Sequence, residues 1–125
     1  MKLRFSKNSV RLRLSKGEID YLSKNGNIYE HIQFGPSTEQ LFTYCIEQVD
    51  SQKYSFSINE KRATVFMPKT ECVEWCNSDT IVGKDATLDF ETGSFYILLE
   101  KDFQCLTPRK NEDESDNFEN PNKSC

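Results

Sequence analysis

The residues of this 125-residue sequence that are best suited to chemistry are one histidine and five cysteines. Cys72 and Cys76 have the spacing of neighbours on one face of a helix, not the knuckle in which zinc sites usually hold two thiolates. In a reducing compartment they are most simply interpreted as free thiols that pack as small core residues. A zinc site is the alternative, and its further ligands would be Cys45, Cys105 and His31.

The stretch EDESDNF, residues 112–118, places four carboxylates in five positions and ends on a phenylalanine. A calcium loop that starts at Asp113 has Phe118 where glycine is needed and Ser124 where a bidentate glutamate is needed, so the EF-hand interpretation fails. A weaker site for Mg²⁺ or Ca²⁺ stays open as an alternative. The candidate residues for binding a metal or another ligand are Asp113, Glu114, Asp116, Cys105 and His31.

Phe118 and Pro121 give the acidic stretch a second interpretation. Charge runs are usually solvated, and a solvated tail has little reason to contain a large apolar residue and a rigid one. We therefore predict a strap that folds back onto the preceding domain, with Phe118 and Pro121 as its anchors. Residues 1–16 carry six basic side chains and no acidic one, so the two ends of the chain are complementary in charge. The basic surface expected near the strap consists of Arg11, Arg13 and Arg109.

The hydrophobic pattern predicts the elements that must position these residues. Apolar and basic residues alternate in MKLRF and SVRLRL, which indicates an N-terminal hairpin. Ser15 and Glu18 have the spacing of a capping box and Gly26 suits a left-handed stop, so a short helix lies between them. Gly17 lowers the helix propensity there by about 1 kcal/mol relative to alanine. A second short helix is predicted to start near Thr70, and further strands lie in NIYEHIQFG, QLFTYCIEQV, YSFSINEKRATVFMP and ATLDFETGSFYILLEKDF.

Eight short strands and two short helices predict an α+β fold with a mostly antiparallel sheet that curls towards a partly open barrel. The length suits one domain with its own core. We assign residues 1–106 to that domain, residues 107–121 to the acidic strap and residues 122–125 to a flexible tail. No internal repeat is visible in the sequence.

Composition and motifs exclude several classes of function. A formal charge of -4 argues against a whole-domain nucleic-acid binder, which usually carries a basic footprint. The sequence shows neither the apolar run of a signal peptide nor about 20 consecutive apolar residues, so we expect a cytoplasmic protein without a membrane partner. Phosphate-binding loops and the motifs of serine hydrolases and zinc proteases do not occur in it. Catalysis therefore has no positive support, and no cofactor is implied beyond a weakly bound divalent metal.

Three stretches of the chain resemble a family of short bacterial proteins that is known only as a domain of unknown function. They are MKLR…NSVRLRLSKGEI, VEWCNSD and LLEKDFQCL…R…EDESDNFENP. The resemblance covers nearly the whole chain, and its last motif, EKDFxCL followed by EDExDxF, is distinctive. It implies that the segment from Lys101 to Pro121 belongs to the domain and is not a variable appendage. The resemblance implies no activity, since the family has none assigned.

We predict a noncatalytic binding or regulatory module that acts through the surface near the basic hairpin and the acidic strap. Its partner, a protein or a small molecule, is not identified by the sequence. The alternative is a divalent-metal-binding protein or a metal-dependent enzyme that uses the acidic segment. A third hypothesis is weak nucleic-acid binding through Lys2, Arg4, Lys7, Arg11 and Arg13.

Overall fold

The computed structural model describes residues 1–104 and 112–120, which form eight β-strands, two α-helices and one short 3₁₀-helix. The helices are α1 (Lys16–Asn25) and α2 (Lys69–Asn77), and the 3₁₀-helix is Thr38–Gln40. The strands are β1 (Lys2–Phe5), β2 (Ser9–Leu14), β3 (Asn27–Gln33), β4 (Leu41–Val49), β5 (Ser55–Asn59), β6 (Arg62–Pro68), β7 (Gly83–Phe90) and β8 (Gly93–Lys101). The predicted α+β class with eight strands and two helices is confirmed.

The strands form two four-stranded sheets, one in the order β1-β2-β8-β7 and the other in the order β3-β4-β6-β5. The outer pairs of each sheet are antiparallel hairpins. The two inner strands of each sheet run parallel, β2 beside β8 and β4 beside β6. The sheets are therefore mostly antiparallel, as predicted, and neither closes into a barrel. Each sheet joins two hairpins that are distant in the sequence.

The two halves of the chain repeat one arrangement, a hairpin followed by a helix and a second hairpin. The first half supplies β1-β2, α1 and β3-β4, and the second supplies β5-β6, α2 and β7-β8. In the parallel pairs, Val10 is paired with Ile97 and Tyr44 with Ala63. Val10 of the first half is equivalent to Ala63 of the second, and Tyr44 to Ile97, with 53 positions between the members of each equivalent pair. The sequence shows no internal repeat, but the fold has one. Each sheet takes one hairpin from each half, so the halves are interlocked.

The core explains why this repeat escapes a comparison of residue types. Leu22 of α1 and Trp75 of α2 occupy equivalent positions, and both side chains are fully buried. Equivalent positions of the two halves are therefore both buried, although they carry different residue types. The inner strands contribute these buried apolar side chains to the core cluster: Val10, Leu12, Leu14, Tyr44, Ile46, Ala63, Val65, Met67, Ile97 and Leu99.

Helix α1 begins and ends as its sequence predicts. Ser15 Oγ accepts a hydrogen bond from the Glu18 backbone N–H at 3.4 Å, and Glu18 Oε1 accepts one from the Ser15 N–H at 2.9 Å. Gly26 follows the helix with a φ of 76°, a left-handed conformation that glycine adopts without strain. Helix α2 starts after Pro68 and has no side-chain cap. Within the described residues, no helix is long and apolar enough to cross a membrane.

Candidate functional site

The described part of the acidic strap, residues 112–120, contacts the start of helix α1. The Asp116 carbonyl oxygen accepts a hydrogen bond from the Lys16 N–H at 2.9 Å. Asp116 Oδ2 accepts a second from the Gly17 N–H at 3.1 Å. The first N–H groups of a helix have no partner inside the helix, and they form the positive end of its dipole. The strap therefore completes an N-terminus that the capping box satisfies only in part.

Gly17 has its explanation in this contact. A Cβ atom at that position would lie 2.9 Å from Asp116 Oδ2, closer than a normal van der Waals contact. The low helix propensity of glycine is therefore accepted at the point where the strap approaches α1. This residue links the helix to the acidic segment, and the sequence pattern of the helix alone does not reveal the link.

Phe118 holds the strap against the segment that follows β8. Its N–H donates to the Asp102 carbonyl at 2.8 Å, and its carbonyl accepts from the Gln104 N–H at 2.6 Å. These bonds form a parallel β-bridge between Phe118 and Phe103, whose ring centroids are 5.7 Å apart. The Phe118 ring is partly buried against the hydrophobic core. The strap is thus attached at two separate elements, through Asp116 and through Phe118.

Lys2 forms ion pairs with one carboxylate that follows β8 and with one carboxylate of the strap. Its Nζ lies 2.8 Å from Asp102 Oδ2 and 3.2 Å from Glu112 Oε2. Partial burial lowers the pKa of Lys2, but the hydrogen bonds and charges of Asp102 and Glu112 outweigh it and leave that pKa raised. The expected complementarity of the two chain ends is therefore present as the pair between Lys2 and Glu112.

The expected basic surface has a different arrangement. Arg11 and Arg13 extend from β2 towards Glu100 of the neighbouring strand β8, and Arg13 Nε lies 3.8 Å from Glu100 Oε1. Their ion pairs are within the sheet, whereas the Glu112 carboxylate of the strap pairs with Lys2. Arg109 lies outside the described residues, as do Cys105, Pro121, the boundary between 106 and 107, and the segment 122–125.

The predicted metal ligands are not gathered into one group in the described part of the chain. His31 lies exposed on β3, with Nδ1 2.8 Å from the Thr43 hydroxyl. Asp113 accepts a hydrogen bond from the Ser115 N–H at 2.9 Å, which lowers the pKa of its carboxyl. Glu114 contributes its carbonyl to Gln104 Nε2 at 3.0 Å. Among residues 1–104 and 112–120, no three His, Cys, Asp or Glu side chains are placed to hold a metal ion.

Lys101, which the sequence did not single out, lies at the centre of this region. Its side chain is only 6% exposed, and its Nζ donates to the Ser78 carbonyl at 2.6 Å. The same Nζ lies 5.6 Å from the centroid of the Phe118 ring. Burial lowers the pKa of Lys101, against the opposing charges of Cys76 and Asp79. A cavity of about 90 Å³ adjoins it, lined by Ser78, Asp79, Ile81, Val82, Lys101, Phe103 and Phe118.

Two thiols of helix α2 lie close to each other beside Lys101. The sulfur atoms of Cys72 and Cys76 are 4.0 Å apart, and Gln48 Nε2 donates to Cys72 Sγ at 3.2 Å. Hydrogen bonds from Cys76 and Gln48 lower the pKa of Cys72 to about 7, although burial opposes them. The hydrogen bond to Cys72 and burial raise the pKa of Cys76, and the charge of Lys101 acts against that rise. The free-thiol interpretation is confirmed for Cys45, Cys72 and Cys76.

Gln48 and Lys101 are equivalent residues of the repeated fold. The Gln48 N–H donates to the Gly26 carbonyl and the Lys101 N–H to the Val82 carbonyl, both at 2.9 Å. Each follows two buried residues of an inner strand at alternate positions, so strand periodicity alone places Lys101 on the buried side. That alternation is the signal by which the sequence could have identified it. Helix α2 directs one thiol towards each of these two polar residues.

The matched family agrees with the resemblance given by the sequence motifs. A model described as a family of unknown function, DUF7009, matches residues 1–122. The chain belongs to DUF7009. Searches among curated proteins and among solved structures found no match. The DUF7009 match runs through the thiol pair, Lys101 and the whole strap.

Proposed function

We propose that this DUF7009 protein is a noncatalytic binding and regulatory module that recognises an extended peptide segment with an acidic and an aromatic residue. Residues 112–120 of its own strap occupy that site in the closed state. The observation that carries the proposal is the pair formed by Asp116 and Phe118. These two residues, separated by one position, make complementary contacts with two different elements of the domain.

The contacts of the strap are those of a peptide ligand. The hydrogen bonds at Phe118 involve only the main chain, so they do not depend on the side chain of the bound segment. Peptides add to the edge of a sheet through hydrogen bonds of this kind. Side-chain selectivity comes from the two flanking positions. The α1 N-terminus favours a carboxylate such as that of Asp116. The surface formed by Phe103 and Lys101 favours an aromatic ring, through ring stacking and a cation–π contact.

The same contacts support a strap that opens. The ion pair between Lys2 and Glu112 is on the surface, where such pairs contribute less than about 1 kcal/mol. Asn117 is only 5% exposed, yet its Nδ2 has no hydrogen-bond partner among the described residues. A buried donor without a partner costs about 1–3 kcal/mol. Opening the strap exposes this amide to water, which supplies hydrogen bonds that the described residues do not.

A peptide-binding measurement tests this proposal on the full-length chain. In the double variant Asp116→Ala, Phe118→Ala the strap loses both attachments and the site becomes free. A labelled peptide of sequence EDESDNFEN is expected to bind this variant saturably, and to bind the parent protein much more weakly because the strap competes. The matched control is the peptide EDESDNAEN, which lacks the aromatic residue and is expected to bind weakly to both proteins. Equal binding of the two peptides, or no binding to the double variant, contradicts the proposed function.

A further inference from the structure

The thiol pair of α2 is positioned to react as a unit. Cys76 is partly exposed and Cys72 is fully buried, with 4.0 Å between their sulfur atoms. Gln48 donates a hydrogen bond to Cys72 Sγ, and Lys101 is the nearby cation on the side of Cys76. Only the accessible thiol, Cys76, can meet a disulfide from solution, and the buried Cys72 is close enough to displace the adduct that forms there.

We propose that Cys72 and Cys76 form a reversible disulfide by exchange with a low-molecular-weight disulfide, and that closure of this bond loosens the strap. The second half of this inference rests on the function proposed for the strap. The first half concerns the thiols alone and stands on their geometry. Oxidation of these two thiols would thus control access to the surface that the strap covers.

The reaction proceeds by two thiol–disulfide exchanges. The proton of Cys76 passes across the 4.0 Å contact to the Cys72 thiolate, and the resulting Cys76 thiolate attacks one sulfur of the small disulfide RSSR. The S–S bond of RSSR breaks, and RS⁻ leaves with the bonding electron pair and takes up the proton from Cys72. The Cys72 thiolate then attacks the Cys76 sulfur and expels the second RS⁻. The two protons lost by the cysteines are taken up by the two RS⁻ products. The protein dithiol is oxidised by two electrons, and RSSR is reduced to two RSH.

Closure of the disulfide requires a change in the last turn of α2. Side chains four residues apart on a helix have Cβ atoms about 5–6 Å apart. A disulfide needs a Cβ separation of about 3.5–4.5 Å, so Cys72 and Cys76 must approach each other. The helix ends at Asn77, directly after Cys76. The strain of the new bond therefore falls on the end of the helix and on the residue that follows it, Ser78.

Ser78 connects the end of α2 to the strap. Its carbonyl accepts the hydrogen bond from Lys101 Nζ, and Lys101 lies beneath the Phe118 ring. Ser78 and Val82 also line the cavity that Phe118 borders. Trp75, next to Cys76, donates from its indole N–H to the Val82 carbonyl at 3.2 Å. A distortion of the last turn of α2 is thus expected to displace Ser78, and with it both the hydrogen bond to Lys101 and the lining of the cavity beside Phe118.

The test uses the full chain with Cys105→Ser and Cys125→Ser, in buffers of stepped glutathione to glutathione-disulfide ratio. Free thiols are alkylated after unfolding and assigned by mass spectrometry. Cys72 and Cys76 are expected to be lost together as one intramolecular disulfide, while buried Cys45 remains alkylated as the internal control. Cys72→Ser is expected to stop at a glutathione adduct on Cys76, and Cys76→Ser to acquire neither adduct nor disulfide. Fluorescence of Trp75 checks that each serine variant retains the fold.

The response of the strap is measured by hydrogen exchange of the Lys16, Gly17 and Phe118 amides in the reduced and oxidised protein. Oxidation is expected to raise their exchange rates about tenfold, a coupling of ordinary size between two sites. The absence of a Cys72–Cys76 disulfide at every ratio overturns the thiol site. A disulfide that leaves these exchange rates unchanged overturns its coupling to the strap. Neither result affects peptide binding by the reduced double variant, which tests the proposed function separately.

Discussion

Lys101 has its side chain on the buried side of β8, where Ile97 and Leu99 precede it at alternate positions. Removing an ammonium group from water is costly unless it gains hydrogen-bond and charge partners. The Ser78 carbonyl and the face of the Phe118 ring supply part of that compensation. The ring is therefore an apolar contact of the core and also a partner of the charge. Opening the strap leaves Lys101 with fewer contacts, and an incoming aromatic residue restores them.

The partial burial of Phe118 gives the first prediction. Phe118→Ala is expected to lower the free energy of unfolding by about 1–3 kcal/mol, since it removes a ring packed on the core. Phe34→Ala is the matched control, because Phe34 is 70% exposed. Its change is expected to stay within about 0.5 kcal/mol, as for most surface substitutions. Denaturant titration of both variants measures the difference, and equal effects would contradict the burial of Phe118.

The thiol pair gives a prediction about pH. The pKa of Cys72 is lowered from 9.0 to about 7 in the folded protein, by hydrogen bonds from Cys76 and Gln48. A lowered pKa stabilises the fold where the thiolate is present, so this contribution is complete above 9.0 and is lost as the pH falls through about 7. Between these values the stability advantage of the parent over Cys72→Ser is expected to grow with pH. Unfolding titrations at several pH values measure it, and a constant difference contradicts the assignment.

At the scale of elements, local sequence predicts local structure well. The capping box, the left-handed stop at Gly26 and the alternating strands are set by residues a few positions apart, and the structure contains them. The attachment of the strap to α1 joins Gly17 to Asp116, which are far apart in the sequence. No local rule relates two such positions. From local rules alone, Gly17 only lowers the helix propensity, whereas in the structure it leaves room for Asp116 of the strap.

A double-mutant cycle tests that attachment. Asp116→Ala is expected to lower the stability by about 0.5–2 kcal/mol, the usual effect of losing a helix N-terminal partner. Gly17→Ala improves helix propensity by up to about 1 kcal/mol. This gain is expected only in the Asp116→Ala background, because the new Cβ otherwise meets Asp116 Oδ2. The four proteins are compared by denaturant unfolding. Additive effects, with no interaction energy between the two sites, would show that the strap does not contact α1 as described.

At the scale of the whole molecule, strand pairing was the part of the fold that sequence patterns did not determine. The hairpins are local and follow from turns and alternation. The parallel pairs β2-β8 and β4-β6 join strands from opposite halves of the chain, and their register is set by packing of the assembled core. Much of the candidate site is likewise not predictable from local sequence, because it forms only when the core is assembled. Phe118 is predicted as an anchor from its type and Lys101 could be placed by strand alternation, whereas the approach of Gln48 and Lys101 to the thiols of α2 requires both sheets to be in place.

The interlocked halves predict a specific folding behaviour. Residues 1–52 contain β1 to β4 and residues 53–125 contain β5 to β8, so each half lacks the hairpins that complete its sheets. Neither half is expected to form a folded monomer alone, whereas a mixture is expected to form a folded complex with one copy of each. Circular dichroism and sedimentation of the separate and mixed halves measure this. A folded monomer of either half would contradict the exchange of hairpins between the sheets.

We propose that the strap closes and opens on a domain that stays folded. Native-state hydrogen exchange of the Lys16, Gly17 and Phe118 amides tests it most directly, because each donates a hydrogen bond across the attachment. The Ile19 amide, which bonds within α1, is the control. We expect the three strap-dependent amides to exchange through an opening of lower free energy than that of Ile19, with little dependence on denaturant. If all four exchange only through global unfolding, the strap is a fixed part of the fold and the claim is wrong.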